Sequence, residues 1–599
     1  MSLPALVLAV AAAAVPSFEI DLGHYFASEG VEQTERVDLM AHVDAFVRRS
    51  APATPAALLE LLHAHDALSR DLRRHQIYVH VRAERDVDDH AAAAADAALD
   101  VVQEQLDVGL QHALTPLGRA AADRLASDDP ALREYRSLID STFRQGAVSS
   151  VDERALALLA KPTLDSLGNA YGELRREVRR TAATTPAVAA STPALAYASK
   201  WAPYLANEPA FAALLAPIVT LQDGVAQLQG FGDAAEAAYA RQQLSTLQVH
   251  SVLAAIRQST SYARYANVLA DAAARQLRVD PAQIRPWDLA AADTWQPPHI
   301  AFGDAVPLIL DAVRPMGSEY AGHFDQLFDP ANRRVDLCMS DPCDDTGFSI
   351  GGAGLPSALF YGHFDGETDS LRAVAHEAGH AVHHQFMAEN QPLGAYNEGP
   401  HFLFESFAIF NELLFLDHMQ RTAPTRAARA RYLHQFLDDA TFQVFGSAQE
   451  TSLEESFYAH ARDGHARSAA DFDALALASI AAFLPPPRRS PEMKAAWAMN
   501  RLYFIDPFYD LNYLFAGLLA LDYLSRFERD PADFRTRYVA LLKNGFDDTP
   551  TALLHRFLGI DLDNGSSLVR DVMQLIDSRT STLQALYADC AGFSACVDR

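Results

Sequence analysis

Cysteine is nearly missing from this sequence, as are β-branched stretches, long apolar runs and any excess of basic charge. Four cysteines in 599 residues are too few for a scaffold built on disulfides. They fall into two close pairs, Cys338 with Cys343 and Cys590 with Cys596, and neither has the C-x-x-C spacing that a four-cysteine zinc site favours. Each pair can close a small disulfide loop in an oxidising compartment or stay reduced in the cytoplasm. Lys+Arg 49 against Asp+Glu 77 leaves a net charge of −28, which repels nucleic acid and anionic membrane. Neither is expected as a partner. No later segment is apolar enough for a membrane span, since the run 514–524 is short and carries Asp522. Residues 3–15 are a separate matter: an apolar run ending in small residues suits a secretory signal, but no basic residues precede it. Residues 1–17 therefore read as a signal or an N-terminal extension. The first makes the protein periplasmic or secreted, the second cytoplasmic.

What the chain does have is 49% hydrophobic and 21% charged residues, the balance of a folded globular protein. Apolar residues recur at three and four among Ala, Leu, Glu and Arg, so a mostly α fold is expected. Residues 18–203 read as an N-terminal helical region, including 56–73, 91–114 and 151–181, and residues 204–599 as a second region that carries the chemistry. The stretch 285–298, with its Pro and Trp residues, fits an extended connector. Between 335 and 366 glycines alternate with short apolar stretches, which places a small antiparallel β-sheet there, with 355–361 as an edge strand. Gly352 and Gly354 can let backbone approach a cleft, and such an edge could pair with an extended peptide.

That segment runs into LRAVAHEAGHAVHH, residues 371–384. Asp369 or Ser370 can cap a helix here, and Leu371, Val374, Ala375, Ala378, Val382 and Phe386 form its apolar stripe. His376 and His380, one turn apart on the other side, can bind one ion, while Glu377 is displaced sideways and free to hold a water. A chance H-E-x-x-H is expected on the order of 0.05 times in a chain with this histidine content. His383 and His384 fit the spacing less well and read as outer-shell or surface residues.

A catalytic zinc needs three protein ligands and an open position. Six residues past His380 stands Phe386, which excludes a third histidine at that spacing. Glu398 lies near the position of another known spacing, but NEGP breaks the helix around it. Glu405 is the better candidate, on a segment whose Phe402, Leu403, Phe404, Phe407, Ile409 and Phe410 are apolar nearly all round. A carboxylate among so many phenylalanines needs a cation to compensate it. Glu412 shares its face and could orient a ligand histidine or serve as the ligand in place of Glu405.

HEAGHAVHHQFMAENQP followed by FLFESFAIFNELL resembles the thimet oligopeptidase and oligoendopeptidase F family of zinc peptidases, in specific motifs from about 351 to 414. The resemblance implies a two-lobed helical enzyme around a deep channel, one zinc ion, and short unstructured peptides as substrates. It also implies oxyanion-stabilising tyrosines in LYFIDPFYDLNYLFAG, residues 502–517, where Tyr509 and Tyr513 lie one turn apart; Tyr503 stands where the family often has histidine. Zinc on His376, His380 and Glu405 would activate a water, with Glu377 as general base. NEGPHFLFE is also similar to peptidyl-dipeptidases related to angiotensin-converting enzyme, which makes exopeptidase cleavage an alternative. The third reading is a helical binding protein with a vestigial site.

Overall fold

The computed structural model describes residues 18–144, 156–184, 192–293, 295–339, 341–588, 590, 592 and 593. The apolar run 3–15 and Cys596 lie outside them. Helices dominate, as the composition predicts. In the N-terminal part three long helices, Glu29–Val47, Pro55–Arg85 and His90–Leu114, pack on one another. Each starts where a side chain satisfies an orphan amide: Ser28, Thr54 and Asp89 accept from the backbone N–H three residues on.

These helices share a core around Leu58, Leu62, Leu72, Leu99 and Leu106 that reaches Ile350 and Ala358 of the sheet. A second and larger core gathers side chains from Tyr171 to Phe593 and includes Val335 and Leu359. Successive strand residues face opposite ways. Ala358 and its neighbour Leu359 thus enter different cores, and the sheet lies between two helical bodies.

The sheet differs from expectation in two respects. It is mixed: β1 (Val335–Cys338) pairs with β3 (Leu355–Gly362) in parallel, while β2 (Gly347–Gly352) pairs with β3 antiparallel. The order β1-β3-β2 also makes β3 the central strand, because its run Ala358, Leu359, Phe360 is fully buried on both faces. The edge nearest the site is β2. Gly354, at φ +72°, forms the turn into β3, a backbone region that favours glycine.

Two other expectations change, and one left open is decided. Residues 285–298 are not an extended connector throughout, because Pro286 opens the short helix Pro286–Ala292, using proline's fixed φ at a first-turn position. One helix, Pro193–Leu228, is long and apolar enough to cross a membrane by length and composition, contrary to the reading that no segment qualifies. It carries Pro203, Pro209 and Pro217 and packs on the helices Lys161–Thr184 and Ser447–Arg462. Cys338 and Cys343 are joined in a disulfide, and Cys590 is also disulfide-bonded.

Candidate metal centre

Two helices build the site. The first, Thr368–Asn390, carries HEAGH and starts slightly earlier than read: Glu367 is its N-cap, without a side-chain cap bond. Asp365 organises that end instead, accepting the Glu367 amide at 2.9 Å and the Ser370 hydroxyl at 2.5 Å. Leu371, Val374, Ala375, Ala378, Val382 and Phe386 are all buried. That stripe anchors the helix and turns His376, Glu377 and His380 toward the second helix and the cleft.

The second helix, His401–Thr422, buries Phe402, Leu403, Phe407, Ile409 and Phe410. At about 1.5–3 kcal/mol for each large apolar side chain, this burial outweighs the several kcal/mol that withdrawing one carboxylate from water costs. Glu405 is held there as a result.

Close approach of the two helices depends on Gly379, inside HEAGH. A Cβ at this position would meet Asn411 Nδ2 at 2.4 Å and the Ala408 Cα at 3.2 Å. Asn411 cannot easily retreat, since it accepts from the Tyr320 hydroxyl and donates to the Phe407 carbonyl. Gly379→Ala is expected to destabilise the protein by about 1–3 kcal/mol through overpacking, read as a lower thermal unfolding midpoint.

Across this contact Glu405 Oε2 lies 3.3 Å from His376 Nε2 and 3.6 Å from His380 Nε2. The three donor atoms are all within 4.8 Å of one another. Burial opposes a proton on His376, yet hydrogen bonding to Glu405 and Glu412 raises its pKa well above the ordinary value. Burial pushes the Glu405 carboxyl up, and the two imidazoles outweigh it and hold the pKa below the ordinary range. Two imidazole nitrogens and a carboxylate oxygen converging on one point, with His380 buried and His376 and Glu405 partly open, fit a four-coordinate divalent cation with one free position.

Glu412 is on the other side of His376. Its Oε1 accepts from His376 Nδ1 at 2.6 Å, fixing which ring nitrogen faces Glu405. The sequence did not disclose what holds Glu412. Arg372 Nε lies 3.4 Å from Glu412 Oε2, and its Nη1 donates to Asp439 at 2.5 Å. Arg372 is one turn before His376, a visible spacing; nothing local points to Asp439. Phe404, read only as core, stacks on the His380 ring with centroids 4.4 Å apart and planes 11° apart.

Glu377 is half-buried next to the start of β2, its Cγ 3.5 Å from where a Cβ on Gly347 would stand. Burial raises its carboxyl pKa. Tyr509 caps the helix Asp510–Arg529 and Tyr513 lies one turn on, with ring centroids 5.3 Å apart. Burial, then the negative charge of Glu405, pushes both phenol pKa values up. Phe508, at φ +66°, makes the turn that presents Tyr509, a conformation that costs a non-glycine residue about 1 kcal/mol or more.

Other candidates are elsewhere. Glu398 is exposed, with Arg73 Nη1 3.8 Å away, and stays outside the convergent group. Tyr503 is fully buried and donates to the Glu450 carbonyl at 3.1 Å, because the short helix Leu502–Ile505 turns its ring onto Phe457. His383 and His384 are not surface residues. His383 packs on Phe404, Phe407 and Phe546, and burial lowers its pKa to about 3. His384 lies against Gly351, where a Cβ would come within 2.4 Å of its own Cβ. Gly351 therefore serves the packing of β2 on the HEAGH helix. Gly352 lies against Arg73 and lines a cavity of about 240 Å³ with it.

A cavity of about 720 Å³ is lined by Glu398, His401 and Tyr509, and one of about 1260 Å³ is bordered by the helix Lys161–Thr184. Glu398 borders both the first and second cavities, and Gln229 and Pro507 both the second and third.

Residues 353–568 match peptidase family M3, a span that holds both helices of the site and both tyrosines. An oligoendopeptidase F homolog of Lactococcus lactis subsp. lactis is 23% identical over 292 residues, 48% of this chain and 46% of that protein. The match thus spans about half the length of the curated relative. Among solved structures, oligoendopeptidase-F from Enterococcus faecium superposes with TM-score 0.63 at 15% identity, covering 92% of this chain and 98% of that one. A Chlamydophila abortus protein classed as a peptidase reaches TM-score 0.77 at 19% identity over 96% and 98%. At these identities the structural likenesses show the fold.

Proposed function

We propose, from the premise that the chain belongs to peptidase family M3, that it is a zinc-dependent endopeptidase acting on short, unstructured oligopeptides. The observation that carries this is the convergence of His376 Nε2, His380 Nε2 and Glu405 Oε2 on one point with Glu377 beside it. These three side chains would hold the ion, which supplies Lewis-acid polarisation of the scissile carbonyl and an acidified water.

The remaining work belongs to the chain. Glu377, its pKa raised by burial, takes the proton of the attacking water and passes it to the leaving amine. Glu412, braced by Arg372, keeps His376 Nδ1 protonated and the ring oriented. Tyr509 or Tyr513 donates its hydroxyl proton in a hydrogen bond to the developing oxyanion; a raised phenol pKa keeps that proton in place at neutral pH. The outer edge of β2, next to Glu377, takes up an extended peptide by strand addition. At Gly351 this edge is already engaged, because Arg73 Nε donates to its carbonyl at 2.9 Å. The cleft among helices admits a flexible strand and excludes a folded domain.

Tyr509→Phe and Tyr513→Phe separate the two hydroxyls. The one that meets the oxyanion is expected to lower kcat on the order of 10²-fold with little change in KM, measured by steady-state kinetics, while the other changes kcat only slightly. The proposal as a whole is tested by digesting a peptide mixture with both ends blocked, using zinc-loaded and chelator-stripped protein. Internal cleavage that disappears on stripping and returns with zinc supports it. Intact peptides in the presence of bound zinc overturn it, and removal of C-terminal dipeptides from unblocked peptides alone moves the protein to the exopeptidase class.

A further inference from the structure

In a chain with a net charge of −28, an exposed cation without an ion-pair partner on a cavity wall is a candidate anion site. Arg241, the last residue of the helix Ala234–Arg241, lines the 720 Å³ cavity together with Tyr509, His401 and Asn512. Among the described residues its side chain makes no hydrogen bond and no ion pair. The charged group facing it is Asp506, which also lines the cavity without forming an ion pair with it. Glu398, on the same wall, has Arg73 beside it. The side chain is exposed on the cavity wall, so an incoming anion can reach the guanidinium directly.

A further feature points the same way. Arg501 adds positive potential over Tyr509 and Tyr513. A free peptide C-terminus offers a carboxylate for Arg241. An acidic side chain offers the same group.

We propose that Arg241 binds a carboxylate of the peptide, a free C-terminus or an Asp or Glu side chain, at the Tyr509 end of the cleft, and so sets which peptides are accepted. This rests on the peptidase reading, but its test does not. Fluorescent Ala-rich oligopeptides are made in two pairs, one differing only in a C-terminal acid or amide, the other only in an internal Glu or Gln. Their Kd values are measured on zinc-loaded protein carrying Glu377→Gln, alone and combined with Arg241→Gln or Arg241→Lys, and their hydrolysis is followed with wild type.

The expected result is roughly tenfold tighter binding of the acidic member of one pair, the size of one charge-assisted hydrogen-bond contact. The preference should vanish with Arg241→Gln and persist in part with Arg241→Lys. The pair that shows it identifies the source of the carboxylate. Equal binding within both pairs, or a preference that survives Arg241→Gln, overturns the inference. If wild type hydrolyses nothing while the Arg241-dependent preference stands, the peptidase reading falls and the carboxylate subsite remains.

Discussion

Glu377→Gln is expected to lower kcat/KM by about 10²–10⁴-fold, the contribution of a positioned general base, while the protein keeps its zinc. Glutamine fills the same space next to Gly347 but has no lone pair basic enough to take a proton from water. Glu377 lies outside the convergent group of His376, His380 and Glu405, so metal affinity should change little. Stability should hold or rise, because burial already disfavours the ionised carboxylate, as its raised pKa shows, and a neutral amide avoids that cost. Metal analysis, a thermal melt and peptide kinetics on the same preparation check all three. Retention of more than roughly a tenth of the activity would remove Glu377 from the base role. Loss of zinc together with activity would make it a ligand.

Glu405→Ala carries the second large effect. It removes the carboxylate on which both imidazoles converge, and zinc affinity should fall by more than the roughly 10–100-fold that loss of an outer-shell partner costs. Activity should disappear at ordinary zinc concentrations. Glu412→Gln is the comparison: of His376 it touches only the far nitrogen, and Arg372, which Glu412 also contacts, still has Asp439. Its affinity should fall within the 10–100-fold range, with activity restored by added zinc. Competition against a chelator of known affinity ranks the two. The reverse order would make Glu412 the ligand, an alternative that the spacing of the sequence leaves open.

Much of this site is legible in the chain because its logic is local. Two histidines at i and i+4 share a face in any α-helix, and an apolar stripe opposite them tells which face is buried. The phenylalanines around Glu405 likewise mark a helix with no solvent side. Glu412 follows at seven residues, two helical turns, and so shares that face before any partner is known.

The misreadings concern relations between segments. The strand 355–361 has a plausible edge-strand sequence, but its central place comes from β1 pairing in parallel on one side and β2 on the other. Tyr503 is within a few residues of Tyr509, yet a short helix turns it into the core. His383 and His384 look exposed on a polar helix until Phe546 and Gly351 pack over them.

The sequence by itself determined the helical class, the HEAGH helix and the apolar character of the helix bearing Glu405, because periodicity, capping and composition act over a few residues. Only the tertiary structure decided that Glu405 rather than Glu398 meets the two imidazoles, that Asp439 braces Arg372, that Phe404 covers His380 and that Arg241 faces the tyrosine end of the cleft. Those contacts join residues up to hundreds of positions apart. They exist because the larger core packs these helices against one another beside the three-stranded sheet.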